Sequence, residues 1–166
     1  MRILGVDPGI AIVGFGLIEQ RGSEQRAVQY GSIQTEAGLP VPKRLRQIFE
    51  SMQYLLEKYQ PDEMAVEKLY FNRNVTNAFV VGQARGVIVL AAELAQVPVF
   101  EYTPMQVKQA VTGWGGAEKR QMQEMIRLLL SLPEIPKPDD VADALGVAIT
   151  HANSQSFTRI LGGADR

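Results

Sequence analysis

The sequence contains no cysteine, which excludes disulfide bridges, thiolate metal sites and a cysteine nucleophile. It has one histidine, His151, and no Ser–His–Asp arrangement is visible around it. No phosphate-cradling P-loop is present: Gly113-Trp114-Gly115-Gly116 lacks the required spacing and follows a helical pattern rather than a strand. A nucleotide triphosphatase is therefore not expected. Long uninterrupted apolar runs are missing too. The start reaches a charge at Asp7 too soon for a signal-peptide core, and the apolar stretch 75–97 is broken by Arg85 and Glu93. The expectation is a cytoplasmic protein with no membrane partner. Excess charge of either sign is also lacking. With a net charge of −1, the basic footprint usual for a nucleic-acid-binding domain is absent. An enzyme that concentrates acids around metal ions can nevertheless look neutral overall while carrying a basic rim.

What is present indicates an ordered globular chain. Apolar residues make up 46% and charged residues 21% of 166 positions, enough for one substantial core and too few for two ordinary domains. A single domain is expected over 1–153, with 154–166 a frayed tail. Extended segments are predicted at 2–7, 12–19 and 26–34, the first two forming a hairpin around Asp7-Pro8-Gly9. Leu45, Ile48, Phe49, Met52, Leu55, Leu56 and Tyr59 follow the spacing of one helix face, ended by Pro61-Asp62. A short buried strand at 63–68 follows. After the polar Asn72-Arg73-Asn74 comes a long helix to about Ala95, whose Gly82 and Gly86 suggest close helix packing. A strand at 98–102, a helix at 104–112, an amphipathic helix at 117–132 and a last helix from Asp139 to about Asn153 complete the chain. The order β-β-β-α-β-α-β-α-α-α predicts an α/β fold with a mixed sheet: three antiparallel strands, then parallel strands returning through helices.

Four carboxylates stand out against this pattern. Asp7 and Glu67 each close an apolar strand, at the sheet edge where open α/β folds bind ligands. A lone acid there could equally cap a turn or meet a lysine such as Lys68. Asp140 and Asp143, three apart, share a helix face. Asp139 and Asp140 are explained by the favourable field at a helix N-terminus, but Asp143 lies a turn further in, among Ala142, Ala144 and Leu145, and a charge there asks for a partner. Four such groups meeting without cations would repel by about 1–4 kcal/mol per pair at roughly 4 Å. All-oxygen ligation suits Mg²⁺ or Mn²⁺, and two such ions about 4 Å apart can support phosphodiester hydrolysis. Arg73, Lys108, Lys119 and Arg120 could line a phosphate track, and Tyr70 and Phe71 could stack on an unpaired base. Solvated helix faces and core packing are the competing readings. His151 is eight residues beyond Asp143, some 12 Å along the helix, and reads as structural.

Taken together, Gly5-Val6-Asp7-Pro8-Gly9, Ala65-Val66-Glu67, Gly82-Gln83-Ala84-Arg85-Gly86-Val87, Gln106-Val107-Lys108, Ala117-Glu118-Lys119 and Asp140-Val141-Ala142-Asp143-Ala144-Leu145, with Ala148-Ile149-Thr150-His151, resemble the bacterial RuvC family in order and spacing over residues 2 to about 152. The resemblance implies a ribonuclease H-like fold, with a mixed five-stranded sheet flanked by helices. It also implies a homodimeric nuclease that resolves Holliday junctions in recombination and repair, leaving 5′-phosphate ends, alongside RuvA and the RuvB motor. Carried onto matching positions, it makes Asp7, Glu67, Asp140 and Asp143 the catalytic metal-binding acids, holding up to two Mg²⁺ per subunit with Mn²⁺ as substitute. Lys108 and Lys119 become DNA-contacting or catalysis-supporting lysines. Tyr70 stands where many relatives have phenylalanine, which leaves Tyr70 and Phe71 both as stacking candidates. The two-fold symmetry of a four-way junction also argues for a two-fold dimer. Three alternatives compete. YqgF-like nucleases are shorter and are not expected to carry the Gln-Ala-Arg-Gly and Val-Lys-Gln segments together. A non-catalytic junction scaffold would not need all four acids. An actin-like ATPase or sugar kinase needs a far longer chain.

Overall fold

Strand alternation divides the residues of β1 (Arg2–Asp7) between two cores, as the computed structural model, which describes residues 1–69 and 75–162, makes plain. Ile3 faces one side of the sheet, and Leu4 and Val6 face the other. β1 pairs antiparallel with β2 (Ile12–Arg21), which pairs antiparallel with β3 (Glu24–Gln34) across the turn at Gly22-Ser23. α1 (Val41–Tyr59) then crosses one face, burying Ile48, Met52, Leu55 and Leu56, and ends where Gln60 turns left-handed. The chain returns as β4 (Glu63–Glu67), parallel to β1, and through α2 (Val75–Leu94) as β5 (Val99–Tyr102), parallel to β4. The resulting order, β3-β2-β1-β4-β5, is the mixed five-stranded sheet expected.

Helices cover both faces. α1 and α2 share a core with Leu4, Val6, Val13, Phe15, Leu17, Met64 and Val66. On the other face lie α3 (Pro104–Thr112), α4 (Lys119–Leu129) and α5 (Asp139–Gly162). α5 sits unusually close to the strands. A Cβ added at Gly5 would lie 2.0 Å from the Ala144 carbonyl oxygen, and one at Gly14 would lie 1.9 Å from that of Asp140. Gly5 pairs with Gly16, and Gly16 receives Leu145, so the centre of this face is a glycine floor on which the helix backbone rests.

Two local expectations change. α5 does not end near Asn153 but continues to Gly162. Asn153, Ser154 and Ser156 are weak helix formers, yet no proline or glycine interrupts the run before Gly162. Gly82 and Gly86 meet no neighbouring atom within 4 Å, so any close packing there is not against this chain's own described elements. α2 is the one helix among the described residues long and apolar enough to cross a membrane. Its Ala84, Ile88, Ala91 and Ala92 are buried in the core, and Arg85 is ion-paired to Glu101 of β5. These contacts make it a helix packed on the sheet.

The glycine floor sets a stability prediction. Gly5→Ala forces a methyl group into the α5 backbone, and overpacking of this kind is expected to cost about 2–3 kcal/mol. The expected result is a lower urea midpoint with an unchanged slope.

Candidate active site

The parallel pairing of β1 and β4 places Val6 beside Val66, so the next residues, Asp7 and Glu67, leave the sheet at the same edge. Directly across from Asp7 on β2 is Gly14, over which the first turn of α5 is seated. That contact brings Asp140, and one turn later Asp143, to the same edge. Residues from three distant parts of the sequence therefore share one electrostatic environment.

The carboxylates report their crowding through their protonation. Burial pushes the Asp7 carboxyl up to about 8, reinforced by the negative charges of Glu67, Asp143 and Asp140 and opposed by Lys119. Burial also pushes Glu67 up to about 7, with Asp143 adding to the effect and Lys108 opposing it. Asp143 is raised as well, first by burial; Lys119 works against this, and Asp140 and Asp139 contribute repulsion. Among the described residues no three acids or histidines converge closely enough to enclose a metal ion. The cluster is an open one. Its donors are all carboxylate oxygens in a partly buried setting with little positive charge, and this chemistry fits a hard divalent cation such as Mg²⁺ or Mn²⁺.

Two cationic elements flank the acids. α3 is started by a reciprocal cap: the Gln106 N–H donates to Thr103 Oγ1 at 3.1 Å, and the Thr103 N–H donates to Gln106 Oε1 at 2.8 Å. One turn on, Lys108 lies within the field of Glu67. At the start of α4 the Glu118 N–H donates to Gln121 Oε1 at 2.9 Å, so Lys119 begins the helix. The Lys119 ammonium reaches toward the acids but makes its ion pair with Asp139, at 3.0 Å. Asp139 also accepts from Gln123 Nε2 at 3.0 Å.

The structure thus gathers Asp7, Glu67, Asp140, Asp143, Lys108 and Lys119 around one edge. Tyr70, Phe71 and Arg73 lie outside the described residues. His151 is fully buried about 12 Å further along α5 than Asp143, near the middle of the helix. Asp139 was read from the sequence only as a favourable helix-start acid. Its service as the partner of Lys119 depends on how α4 packs beside α5, for which spacing along the chain carries no signal.

Raised carboxyl pKa values have a definite sign for stability. The folded state holds protons on Asp7 and Glu67 that the unfolded chain releases near pH 4, so the metal-free protein keeps this contribution at low pH and loses it as pH rises through about 7 to 8. Asp7→Asn removes the largest part of that loss. It is expected to raise the metal-free melting temperature at pH 8.5 by roughly 3–6 °C, corresponding to about 1–2 kcal/mol, with a smaller gain at pH 6. Calorimetry at the two pH values in EDTA checks this, and an equal effect at both would contradict it.

Known proteins resemble this chain closely along its length. A family model described as crossover junction endodeoxyribonuclease RuvC matches residues 3–151. The chain is 74% identical over all 166 residues, covering 100% of both proteins, to a Brevibacillus brevis protein of that name. It is 57% identical over 159 residues to one from Halothermothrix orenii, covering 96% of each. Among solved structures, T. thermophilus RuvC in complex with a Holliday junction substrate superposes with a TM-score of 0.90 at 37% identity, covering 95% of this chain and 96% of that one.

Proposed function

Because the chain belongs to the RuvC family of crossover junction endodeoxyribonucleases, with a ribonuclease H-like fold, we propose that its acid cluster is the centre at which four-way DNA junctions are cut. The protein is a metal-dependent, structure-selective endonuclease that resolves Holliday junctions in recombination and repair. The observation that carries the assignment of the site is the burial of Asp7, Glu67 and Asp143 together at one sheet edge, with acidic neighbours adding to it, which raises all three carboxyls, a cost that a nuclease metal site relieves.

In this reading Asp7, Glu67, Asp140 and Asp143 hold up to two Mg²⁺ ions per subunit, and Mn²⁺ substitutes. Cations there supply charge neutralisation and Lewis acidity for phosphodiester hydrolysis. The protein's own groups do the rest. The rigid ends of β1 and β4 set two acids against the two on α5. Lys108 contacts the DNA, and Lys119, exchanging Asp139 for a phosphate oxygen, both contacts the DNA and supports the charge that develops in the reaction. Water adds to phosphorus, the bond to the 3′ oxygen breaks, and each nick leaves a 3′-hydroxyl and a 5′-phosphate. Tyr70, Phe71 and Arg73 follow Glu67 in the sequence and are assigned to the DNA, the aromatics to stacking and Arg73 to phosphate. The enzyme works in the cytoplasm, with the DNA it cuts, alongside the RuvA and RuvB branch-migration proteins.

Two cuts on a two-fold substrate call for two sites, and α2 offers a surface to join them. Phe79, Leu90 and Leu94 are exposed on one stripe of this helix, with the open Gly82 and Gly86 between them. Apolar residues flanking small ones suit a close helix crossing with the same helix of a second chain. Leu90→Glu is expected to convert a dimer into a monomer in analytical ultracentrifugation. A wild-type protein that sediments as a monomer, alone and on junction DNA, would remove the dimer.

The function itself is tested on a labelled synthetic four-way junction beside a linear duplex of the same sequence, with Mg²⁺, Mn²⁺ or EDTA. Paired, metal-dependent nicks confined to the junction are expected. Asp7→Asn should bind the junction normally but cut it slower by on the order of 10³-fold. Tight binding by wild type without cutting would favour a scaffold, and equal cutting of the duplex would leave a nuclease of another specificity.

A further inference from the structure

His151 is fully buried, yet both of its ring nitrogens are engaged. Nε2 faces Glu63 Oε2 at 2.5 Å, and Nδ1 faces the Tyr102 hydroxyl at 2.7 Å. Tyr102 is hydrogen-bonded in turn to the Ser154 side chain. In the arrangement that uses every group, Ser154 donates to Tyr102, Tyr102 donates to Nδ1 of a neutral imidazole, and Nε2–H donates to the Glu63 carboxylate. The Phe100 ring lies against the imidazole, with centroids 4.4 Å apart. One side chain of α5 is thereby fixed to β4 and β5 at once.

The placement of this bridge along the helix is what gives it a consequence. Glu63, Ala65 and Glu67 alternate onto the face of β4 that α5 covers, and β4 runs toward the acid edge while α5 runs away from it. Glu63 and Glu67 are separated by about 13 Å along the strand, and His151 and Asp143 by about 12 Å along the helix. Two rigid rods of matched length therefore meet at two points: His151 over Glu63, and Asp143 facing Glu67. Between these points Ala144 and Ala148 lie over Gly5, and Leu145 packs over Gly16. Apolar packing of this kind is not directional, whereas hydrogen bonds are.

We propose that His151 is a positioning residue: its bridge between Glu63 and Tyr102 fixes the axial and rotational setting of α5, and so the placement of Asp140 and Asp143 against Asp7 and Glu67. This rests on the reading of those four acids as the metal site. Groups that hold metal ligands in place commonly matter about 10- to 100-fold for metal affinity or activity.

The test is a calorimetric Mn²⁺ titration of the whole protein, alongside single-turnover cleavage of a synthetic junction. His151→Phe keeps a ring against Phe100 and removes both hydrogen bonds. It is expected to weaken Mn²⁺ binding by about tenfold and to slow cleavage by about 10²-fold, with junction affinity measured in EDTA within about twofold of wild type. His151→Gln, whose amide can donate to Glu63 and accept from Tyr102, should recover most of both losses. A folded His151→Phe that binds Mn²⁺ and cuts within about twofold of wild type, losing only melting temperature, overturns the proposal. If His151→Phe does not fold, Tyr102→Phe decides: a drop of about threefold or more in Mn²⁺ affinity is expected, and no change overturns the proposal. A wild-type protein that binds Mn²⁺ but cuts no junction would defeat the nuclease reading, while the Mn²⁺ titrations would still decide the role of His151.

Discussion

The backbone of α5 occupies the space where side chains of β1 and β2 would ordinarily project, and the site depends on that intimacy. Two of the four acids ride on this helix and two end strands beneath it, so their approach is limited by how closely a helix can lie on a sheet. Sheet and helix usually keep their distance because both carry side chains at the contact. Gly5, Gly14 and Gly16 remove one layer, and Ala144 and Ala148 thin the other. Larger residues here would still allow a stable α/β domain, but with the acids of α5 held away from those of the sheet.

Closeness of this kind works against the folded state in electrostatic terms. Asp7 is raised most by burial and next by its acidic neighbours, and only Lys119 offsets the effect. Lys119 is itself drawn aside by Asp139. A lysine deeper in the cluster would quiet the repulsion but would also compete with the cations for the same oxygens. Keeping the positive charge at the margin leaves the carboxylates under-neutralised, as the proposed binding of divalent ions there requires.

How much of this was legible in the sequence depended on whether a residue broke a pattern. Asp7 and Glu67 were visible because each ends an apolar strand, and Asp143 because a charge inside an apolar helix is conspicuous. The mixed sheet, with three antiparallel strands and then parallel returns, followed from the alternation of elements. The glycine floor was hidden, since which face Gly14 and Gly16 occupy depends on a register that no local pattern reveals. The end of α5 lies beyond Asn153 because nothing before Gly162 breaks the helix, and serine and asparagine only weaken it. Gly82 and Gly86 pointed to packing, yet the space they open faces outward. His151 was rightly expected to be structural, but its partners, Glu63 and Tyr102, are brought to it only by the parallel return of β4 and β5.

Among the described elements the central strand, β1, comes first, and the helix that lies across it comes last. On the ribosome, Asp7 and Glu67 therefore emerge well before Asp140 and Asp143. Until α5 is free to fold back, the growing chain exposes a glycine-lined surface and only two of the four acids proposed to hold metal. A polypeptide released early would carry the same incapacity. The proposed metal site is therefore complete only after α5 has been made and has folded back onto the sheet.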